Sequence, residues 1–375
     1  MSALILIGAA AALMVAHLAS VGLFLMRLRR QPPPGVLGRP RVTLLRPVCG
    51  LDRFDAETLA SSFTQDYPDY QVIFCAQSAD DPALALIRDL IARHPHRPAR
   101  LLIGDDRISA NPKLNNVWKG WCAADTDWIC MTDSNLLLTP GYLAAVVDSW
   151  SPGSGLVSGP PIGTRPDGWG GHLECAFLNG NQARLQFAAD SLGFGFAQGK
   201  TLFFHRPMIE RAGGLRMLGR HLAEDVSTTR LIRDLGLQVR LTPLPFAQPI
   251  GSRSLRTVWD RQLRWSLIRR EGFPAVFALE PLNGGLVPLA LWLSGVIAAG
   301  AAWLPAMIAW LAMWYGAEGL LARRAGWPSG PRALAAMALR DLMIPAVWLA
   351  SLRQRGFAWR GTAMAQSELA AERVA

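Results

Sequence analysis

Charge is what this sequence is short of. Asp, Glu, Lys and Arg make up 18% of its 375 residues, where soluble domains carry about 25%. Acid is scarcer than base, 28 residues against 38, which leaves a formal charge of +10. Hydrophobic residues reach 51%, with 14 Trp, and the mean hydropathy is +0.20. Such a chain has ample apolar surface to offset ordering entropy, so disorder is excluded, and the composition is that of a membrane protein carrying a globular domain. Cysteine is sparse as well. Cys49, Cys75, Cys122, Cys130 and Cys175 are odd in number and contain no C-x-x-C, which argues against a disulfide framework or thiolate metal site and points to a reducing compartment. The six histidines show no H-x-x-x-H spacing, so no zinc site is expected. The arginine pairs lie beside apolar runs rather than in a basic-aromatic stripe. The positive-inside rule accounts for them, and nucleic acid is disfavoured as a partner.

Long uncharged runs are what the chain does have. Ala3 to Met26 is 24 residues without a formal charge, followed by Arg27, Arg29 and Arg30. That is long enough for one crossing, which needs about 20 helical residues. A signal peptide would carry its basic residues before the apolar run, not after it. The order here predicts a transmembrane helix in residues 1–30 with its basic end in the cytoplasm, then a Pro-rich linker over 31–40. Pro281 to Ala317 is a second uncharged run, of 37 residues, containing Pro305 and followed by Arg323 and Arg324. It predicts a transmembrane hairpin over 281–324. Residues 333–352 are weaker, interrupted by Arg340 and Asp341 and followed by Arg353 and Arg355. Such a run can span, re-enter or lie on the surface, and residues 325–375 are read as membrane-associated.

Residues 41–280 read as a water-facing α/β domain. Short apolar runs at 42–45, 71–76, 100–104 and 127–132 alternate with helical spacing over 56–65, 82–93 and 112–124. That alternation predicts βαβ units and a mostly parallel sheet covered on both faces, with ligands at the carboxyl ends of the strands. Asp133, in TDSN directly after a strand, is placed to hold a divalent metal through hard oxygens, or to make an Asx-turn. Asp80 and Asp81 follow another strand; either can contact a nucleotide, while Asp81 before Pro82 is also a helix cap. Lys113 in NPKLNN can meet a phosphate, or that cluster can cap and solvate its helix. Glu224 and Asp225 suit a raised carboxylate pKa and a general base, or an acidic first turn on a helix dipole. Arg261, Arg264 and Trp265 can grip phosphates beside a flat apolar wall, or anchor a helix at the membrane border.

Taken in order, RPVCGLD (46–52), QDYPDYQVIFCAQSADDPA (65–83), SANPKLNN (109–116), WICMTDSN (128–135), GLVSGPP (155–161), LAEDVSTTRLI (222–232) and RQLRW (261–265) resemble blocks of the membrane-bound, family 2 type inverting glycosyltransferases, and most closely the ceramide glucosyltransferases. Three aspartates and R-x-x-R-W belong to the general fold, whereas NPKLNN and RPVCGLD narrow the resemblance to the ceramide branch. The resemblance implies a GT-A fold, a Rossmann-like mixed sheet flanked by transmembrane helices, and transfer of glucose from UDP-glucose to the primary hydroxyl of ceramide with inversion. It further implies nucleotide contact in the Asp80/Asp81 region, a Mg2+ or Mn2+ and the diphosphate at Asp133, and Asp225 as catalytic base. Arg261, Arg264 and Trp265 would form the acceptor-side and diphosphate-side motif, and Lys113 would join the donor site. Two departures stand out: Ser78 follows Gln77 where the family has an acid, and the metal motif is D-S-N rather than D-x-D. WRG (359–361) resembles a tail motif of the family. The expected setting is a bacterial inner membrane with the catalytic domain in the cytoplasm. Competing readings are a hopanoid N-acetylglucosaminyltransferase, a UDP-galactose or UDP-glucuronate donor, and a non-catalytic sugar-nucleotide-binding membrane protein.

Overall fold

The computed structural model describes residues 2–30, 35–354, 356–359 and 362–365; Arg360 and Gly361 of the tail motif lie outside them. In chain order the elements are α1 (Ser2–Arg27), β1 (Val42–Val48), α2 (Asp55–Ala60), β2 (Tyr70–Ala76), α3 (Ala83–Arg93), β3 (Ala99–Ile103), α4 (Pro112–Ala123), β4 (Trp128–Thr132) and α5 (Tyr142–Asp148). There follow β5 (Ser154–Ser158), β6 (Pro161–Asp167), α6 (Gly168–Cys175), a π-helix (Ala176–Ala183), α7 (Arg184–Ser191), β7 (Thr201–His205), α8 (Arg206–Arg211), α9 (Glu224–Asp234), β8 (Gln238–Leu241) and β9 (Phe246–Ser252). The chain continues through α10 (Leu255–Gly272), α11 (Pro274–Leu279), α12 (Leu286–Ala298), α13 (Trp303–Arg324), α14 (Pro331–Arg353) and the strands β10 (Gly356–Trp359) and β11 (Thr362–Ala365).

Two compact units divide the chain. The sheet unit comprises residues 31–161, 192–249 and 356–375. Its main sheet has seven strands in the order β3-β2-β1-β4-β7-β5-β8. Strands β1 to β4 are parallel neighbours, as the βαβ alternation predicts, but β7 enters antiparallel between β4 and β5. The sheet is therefore mixed. Alternation with period two sorts the side chains onto two cores. Leu44, Val72 and Cys130 pack with Leu59, Ile87 and Val146 of α2, α3 and α5. On the opposite face Leu45, Ile73 and Met131 pack with Leu114, Val117 and Trp121 of α4. Helix α4 comes so close that a Cβ on Gly120 would sit 2.4 Å from Leu45 Cδ1 and 2.5 Å from Cys75 Sγ.

The helical unit comprises residues 1–30, 162–191 and 250–355. It thus includes two segments, 162–191 and 250–280, from within the stretch expected to be one water-facing domain. Helices α1, α13 and α14 are long and apolar enough to cross a membrane, and residues 274–283 with 286–298 form a pair bent by 60° that would make a fourth span. This is the composition of a membrane protein. The uncharged run of 281–317 breaks at 299–302, just ahead of Pro305, which sits in the first turn of α13, where a missing N–H costs nothing.

The charges inside these helices point inward. Arg340 donates from Nη1 and Nη2 to both oxygens of Glu318, at 2.9 Å each, and from Nε to Asp341 Oδ1 at 2.8 Å. Asp341 Oδ2 in turn accepts from Gly285 N and the Tyr315 hydroxyl, at 2.8 and 3.0 Å. Arg184 donates to Gly180 O and to Ser20 Oγ. Buried charges are tolerated when paired and hydrogen-bonded in this way.

Candidate functional site

The site grows out of the carboxyl edge of the parallel strands. Asp133 directly follows β4. Because β7 runs antiparallel, with Thr201 opposite Thr132, the residues preceding β7 arrive at that same edge. Asp133 N donates to Lys200 O at 3.1 Å, and Lys200 Nζ returns to Asp133 Oδ2 and Asn135 Oδ1, at 2.9 Å each. The other Asp133 oxygen accepts from Lys113 Nζ at 2.7 Å. Burial alone would push the Asp133 carboxyl up, but Lys113 and Lys200 overcome it and hold it well below the usual carboxylate range.

Lys113 is placed by the start of α4. Asn111 caps that helix, accepting from Lys113 N and Leu114 N, with Pro112 in the first turn. From there the Lys113 side chain reaches three oxygens: Asp133 Oδ1, Glu224 Oε1 at 2.6 Å and Gly199 O at 2.6 Å. Burial would lower its pKa, yet Asp133 and Glu224 hold it well above the usual lysine range. The remaining asparagines of NPKLNN are structural. Asn115 Oδ1 accepts from Ile108 N and Ser109 N, whereas Asn116 Nδ2 donates to Val48 O and Cys75 O at the ends of β1 and β2.

Glu224 and Asp225 open α9 but face different partners. Glu224 is buried and held on both oxygens, by Lys113 and by Asn111 Nδ2 at 3.1 Å. Among the described residues Asp225 accepts from backbone N–H groups alone, from Gly199 at 3.1 Å and from its own helix at Val226 N, 2.8 Å. Burial first, and the neighbouring Glu224 charge second, push its carboxyl up to about 7, against the pull of the Gly199 N–H and Lys113. Gly199 thus links the two acids indirectly, taking Lys113, the partner of Glu224, on its carbonyl and giving its N–H to Asp225. A Cβ there would stand 2.7 Å from Glu224 Oε1, so a side chain at this position would have to displace that carboxylate.

The structure brings Lys113, Asp133, Glu224 and Asp225 into one connected group. Asp81 accepts from Gly50 N and Ala83 N at 2.9 Å each, which ties the loop after β1 to the start of α3. Asp80 is exposed at the end of β2. Gln77 beside Ser78 donates to Asp105 Oδ1 at 2.7 Å, which places an acid from the end of β3 next to the slot that Ser78 leaves neutral. Arg261, Arg264 and Trp265 lie on α10 in the helical unit. There Arg261 pairs with the buried Glu174 and lies over the Trp265 ring at 6.0 Å, while Trp265 packs on Cys175, Leu178 and Ile250. Among the described residues no three His, Cys, Asp or Glu side chains form a metal-holding cluster.

Gly199, Lys200 and Arg46 were not singled out by sequence reasoning. Arg46 is fully buried in β1, and its Nη2 donates to Thr58 O, Ser134 O and Leu136 O at 3.0 to 3.3 Å. It fixes the loop that carries Asp133. Burial lowers its pKa to about 10 despite the nearby Tyr142 and Asp133. The sequence itself shows an arginine directly after the apolar run at 42–45, with nothing local to mark it as buried.

The ordered blocks and this fold fit one family, whose profile matches residues 2–369. The chain belongs to glycosyl transferase family 21. Relatives include ceramide glucosyltransferase 3 of Caenorhabditis elegans, 26% identical over 86% of this chain and 72% of that one. Ceramide glucosyltransferase 1 of the same organism is 26% identical over 65% of this chain, and the ceramide glucosyltransferase of Komagataella phaffii is 29% identical over 66%. The match spans only 53% of the first enzyme's length and 60% of the second's. Among solved structures, the mannosyltransferase PcManGT of Pyrobaculum calidifontis, in complex with GDP-Man and Mn2+, matches with a TM-score of 0.53 and 22% identity over 90% of this chain and 99% of that one. That likeness shows the glycosyltransferase fold, GT-A-like, for a family 21 chain.

Proposed function

We propose that this protein transfers glucose from UDP-glucose to the primary hydroxyl of ceramide, inverting the anomeric centre, at the cytoplasmic face of a bacterial inner membrane. Family 21 membership and the names of its relatives support the reaction class and the lipid acceptor. The observation that carries the residue assignment is Asp225, a carboxylate held near neutral pKa by burial and Glu224 and bonded to the backbone N–H groups of Gly199 and Val226. A base of that pKa is matched to work near pH 7. Asp225 takes the hydroxyl proton as the lipid oxygen attacks the anomeric carbon. The bond from that carbon to the diphosphate oxygen breaks as the new one forms, and its electron pair leaves with UDP. A single displacement inverts the centre and needs no covalent nucleophile.

Asp133, kept ionised by Lys113 and Lys200, serves the donor. Lys200 Nζ already sets a positive charge between two hard oxygens, Asp133 Oδ2 and Asn135 Oδ1, so Mg2+ or Mn2+ fits the donor set of this site. Asp133 and Asn135 would hold the ion, which when bound supplies charge neutralisation on the leaving diphosphate. Lys113 and Lys200 add fixed positive charge beside it. Asp80 is assigned to the nucleotide, and Arg261, Arg264 and Trp265 to the diphosphate and acceptor.

The test is lipid analysis of cells expressing the chain with ceramide supplied, beside an Asp225→Asn strain. Membranes from both are compared with labelled UDP-glucose, UDP-galactose and UDP-N-acetylglucosamine. Hexosylceramide that forms only with intact Asp225, and best from UDP-glucose, is the expected result. No ceramide product from any donor would sink the acceptor assignment and move a hopanoid acceptor or a binding-only role ahead.

A further inference from the structure

Helix α14 is the piece of the helical unit that length and hydropathy describe least well. At 23 residues it can cross a bilayer, which takes about 20. Its contacts say otherwise. Helices α12 and α13 are antiparallel: Gly285, ahead of α12, lies beside Trp314, and Trp292 Nε1 donates to Ala306 O at 3.2 Å. The start of α12 is therefore level with Trp314, midway along α13, with the end of α13 further on the same side and the turn at 299–302 on the other.

Followed along its length, α14 stays on the first side. Leu334 packs on Gly319 near the end of α13, and Asp341 and Ile344 pack on Gly285 and Gly284 at the start of α12. Trp348 Nε1 then donates to Phe277 O of α11 at 2.9 Å. At the far end Arg270 of α10 donates to Ser351 O and, at 2.7 Å, to Gln354 O. Helices α10 and α11 lead into α12, so both ends of α14 are tied to elements on the entry side. A crossing helix would instead finish beside residues 299–302.

The faces of α14 are also inverted for a water-soluble helix. Its charged residues Arg340 and Asp341 are buried, whereas Leu342, Leu349 and Leu352 are 55%, 58% and 49% exposed. Leu334, Ala338, Leu342, Ala346 and Leu349 repeat every three or four residues and make one uncharged stripe. Val276 and Leu279 of the adjoining α11 are exposed as well. Arg332 and Arg353 flank the stripe and are exposed.

We propose that α14, with α11, is an in-plane platform seated at the boundary between headgroups and acyl chains, its leucine stripe in the hydrocarbon and Arg332 and Arg353 at the phosphates of one leaflet. A charged inner face and an apolar outer face suit a lipid surface, and flanking arginines reach its headgroups. This goes beyond the reading of the reaction and does not depend on it.

Variants of the full chain with one added exposed cysteine test it, in a background with the exposed Cys49 and Cys122 replaced by Ala and the buried Cys75, Cys130 and Cys175 kept. Membrane vesicles of both orientations are labelled with an impermeant maleimide at Arg332→Cys, Arg353→Cys, the same-side control Arg324→Cys and the opposite-side control Ala301→Cys. Arg332→Cys and Arg353→Cys are expected to label from the Arg324→Cys face alone. Labelling of Arg353→Cys from the Ala301→Cys face would overturn the proposal. A second readout is bimane fluorescence at Leu342→Cys and Leu349→Cys in phosphatidylethanolamine/phosphatidylglycerol vesicles. Both are expected to lose most intensity to lipids brominated near the headgroup. Strongest quenching by aqueous iodide, or by bromines at the chain terminus, would refute the in-plane placement.

Discussion

Replacing Glu224 with Gln removes the charge that, after burial, does most to keep Asp225 protonated. Raising an aspartate from 3.8 to about 7 corresponds to about 4 kcal/mol in favour of the protonated form, at about 1.4 kcal/mol per pH unit. A unit charge about 5 Å away at an effective dielectric of about 20 contributes about 3 kcal/mol. At that rate Glu224 supplies about two pH units, burial supplies more, and the Gly199 N–H and Lys113 offset part of both. The assay is the pH profile of kcat/KM for lipid glucosylation in vesicles, whose acid limb reports the free enzyme's base. In the unaltered protein that limb should lie near 7, with activity falling about tenfold per pH unit below it. Glu224→Gln should move it down by about two units. Lys113→Met removes the opposing cation and should move it up. An acid limb near 4 in the unaltered protein, or shifts of the same sign in both variants, would refute the assignment of Asp225 as a base tuned by this pair.

The same group predicts effects on stability. Asp225 ionises at 3.8 unfolded but at about 7 folded, so the unfolded state holds fewer protons between these values and stability falls as pH rises from about 4 to 7. Asp225→Asn should flatten that slope in chemical unfolding of the purified protein. Asp133 acts with the opposite sign, since its depressed pKa stabilises above 3.8 and is lost as the pH drops below it. Gly199→Ala should lower kcat, because its Cβ would meet Glu224 Oε1 at 2.7 Å; steady-state kinetics checks this, and unchanged kcat would contradict the packing. Arg340→Met leaves Glu318 and Asp341 buried without their shared cation and should cost about 3–5 kcal/mol, read as a loss of thermal stability in detergent.

How much of this was legible in the sequence follows from how local each signal is. The strands β1 to β4 and the helices between them show as short apolar runs and 3.6-residue spacing, because each is stabilised against its sequence neighbours. Asp133 stands out as an acid directly after a strand, and Asp225 as half of an acidic pair opening a helix. Gly199 and Lys200 were not legible, since what brings them to Asp133 is the antiparallel insertion of β7, a register no local pattern encodes. Arg46 was hidden for a related reason: two of its three carbonyl partners, Ser134 and Leu136, lie 88 and 90 residues away. The segments 162–191 and 250–280 carry ordinary charge densities, so hydropathy could not group them with the apolar helices. Their allegiance rests on particular pairs such as Arg184 with Ser20 and Arg270 with Ser351.

The central claim is that Asp225 is the base for transfer to a lipid hydroxyl on a donor site built around Asp133. Its most direct test is to measure, on one preparation each of the unaltered and Asp225→Asn proteins in vesicles, both UDP affinity and glucose transfer from UDP-glucose to ceramide. Transfer should drop by about 10²- to 10⁴-fold while UDP affinity stays unchanged. Retained transfer in Asp225→Asn, or equal loss of UDP binding and transfer, would contradict it.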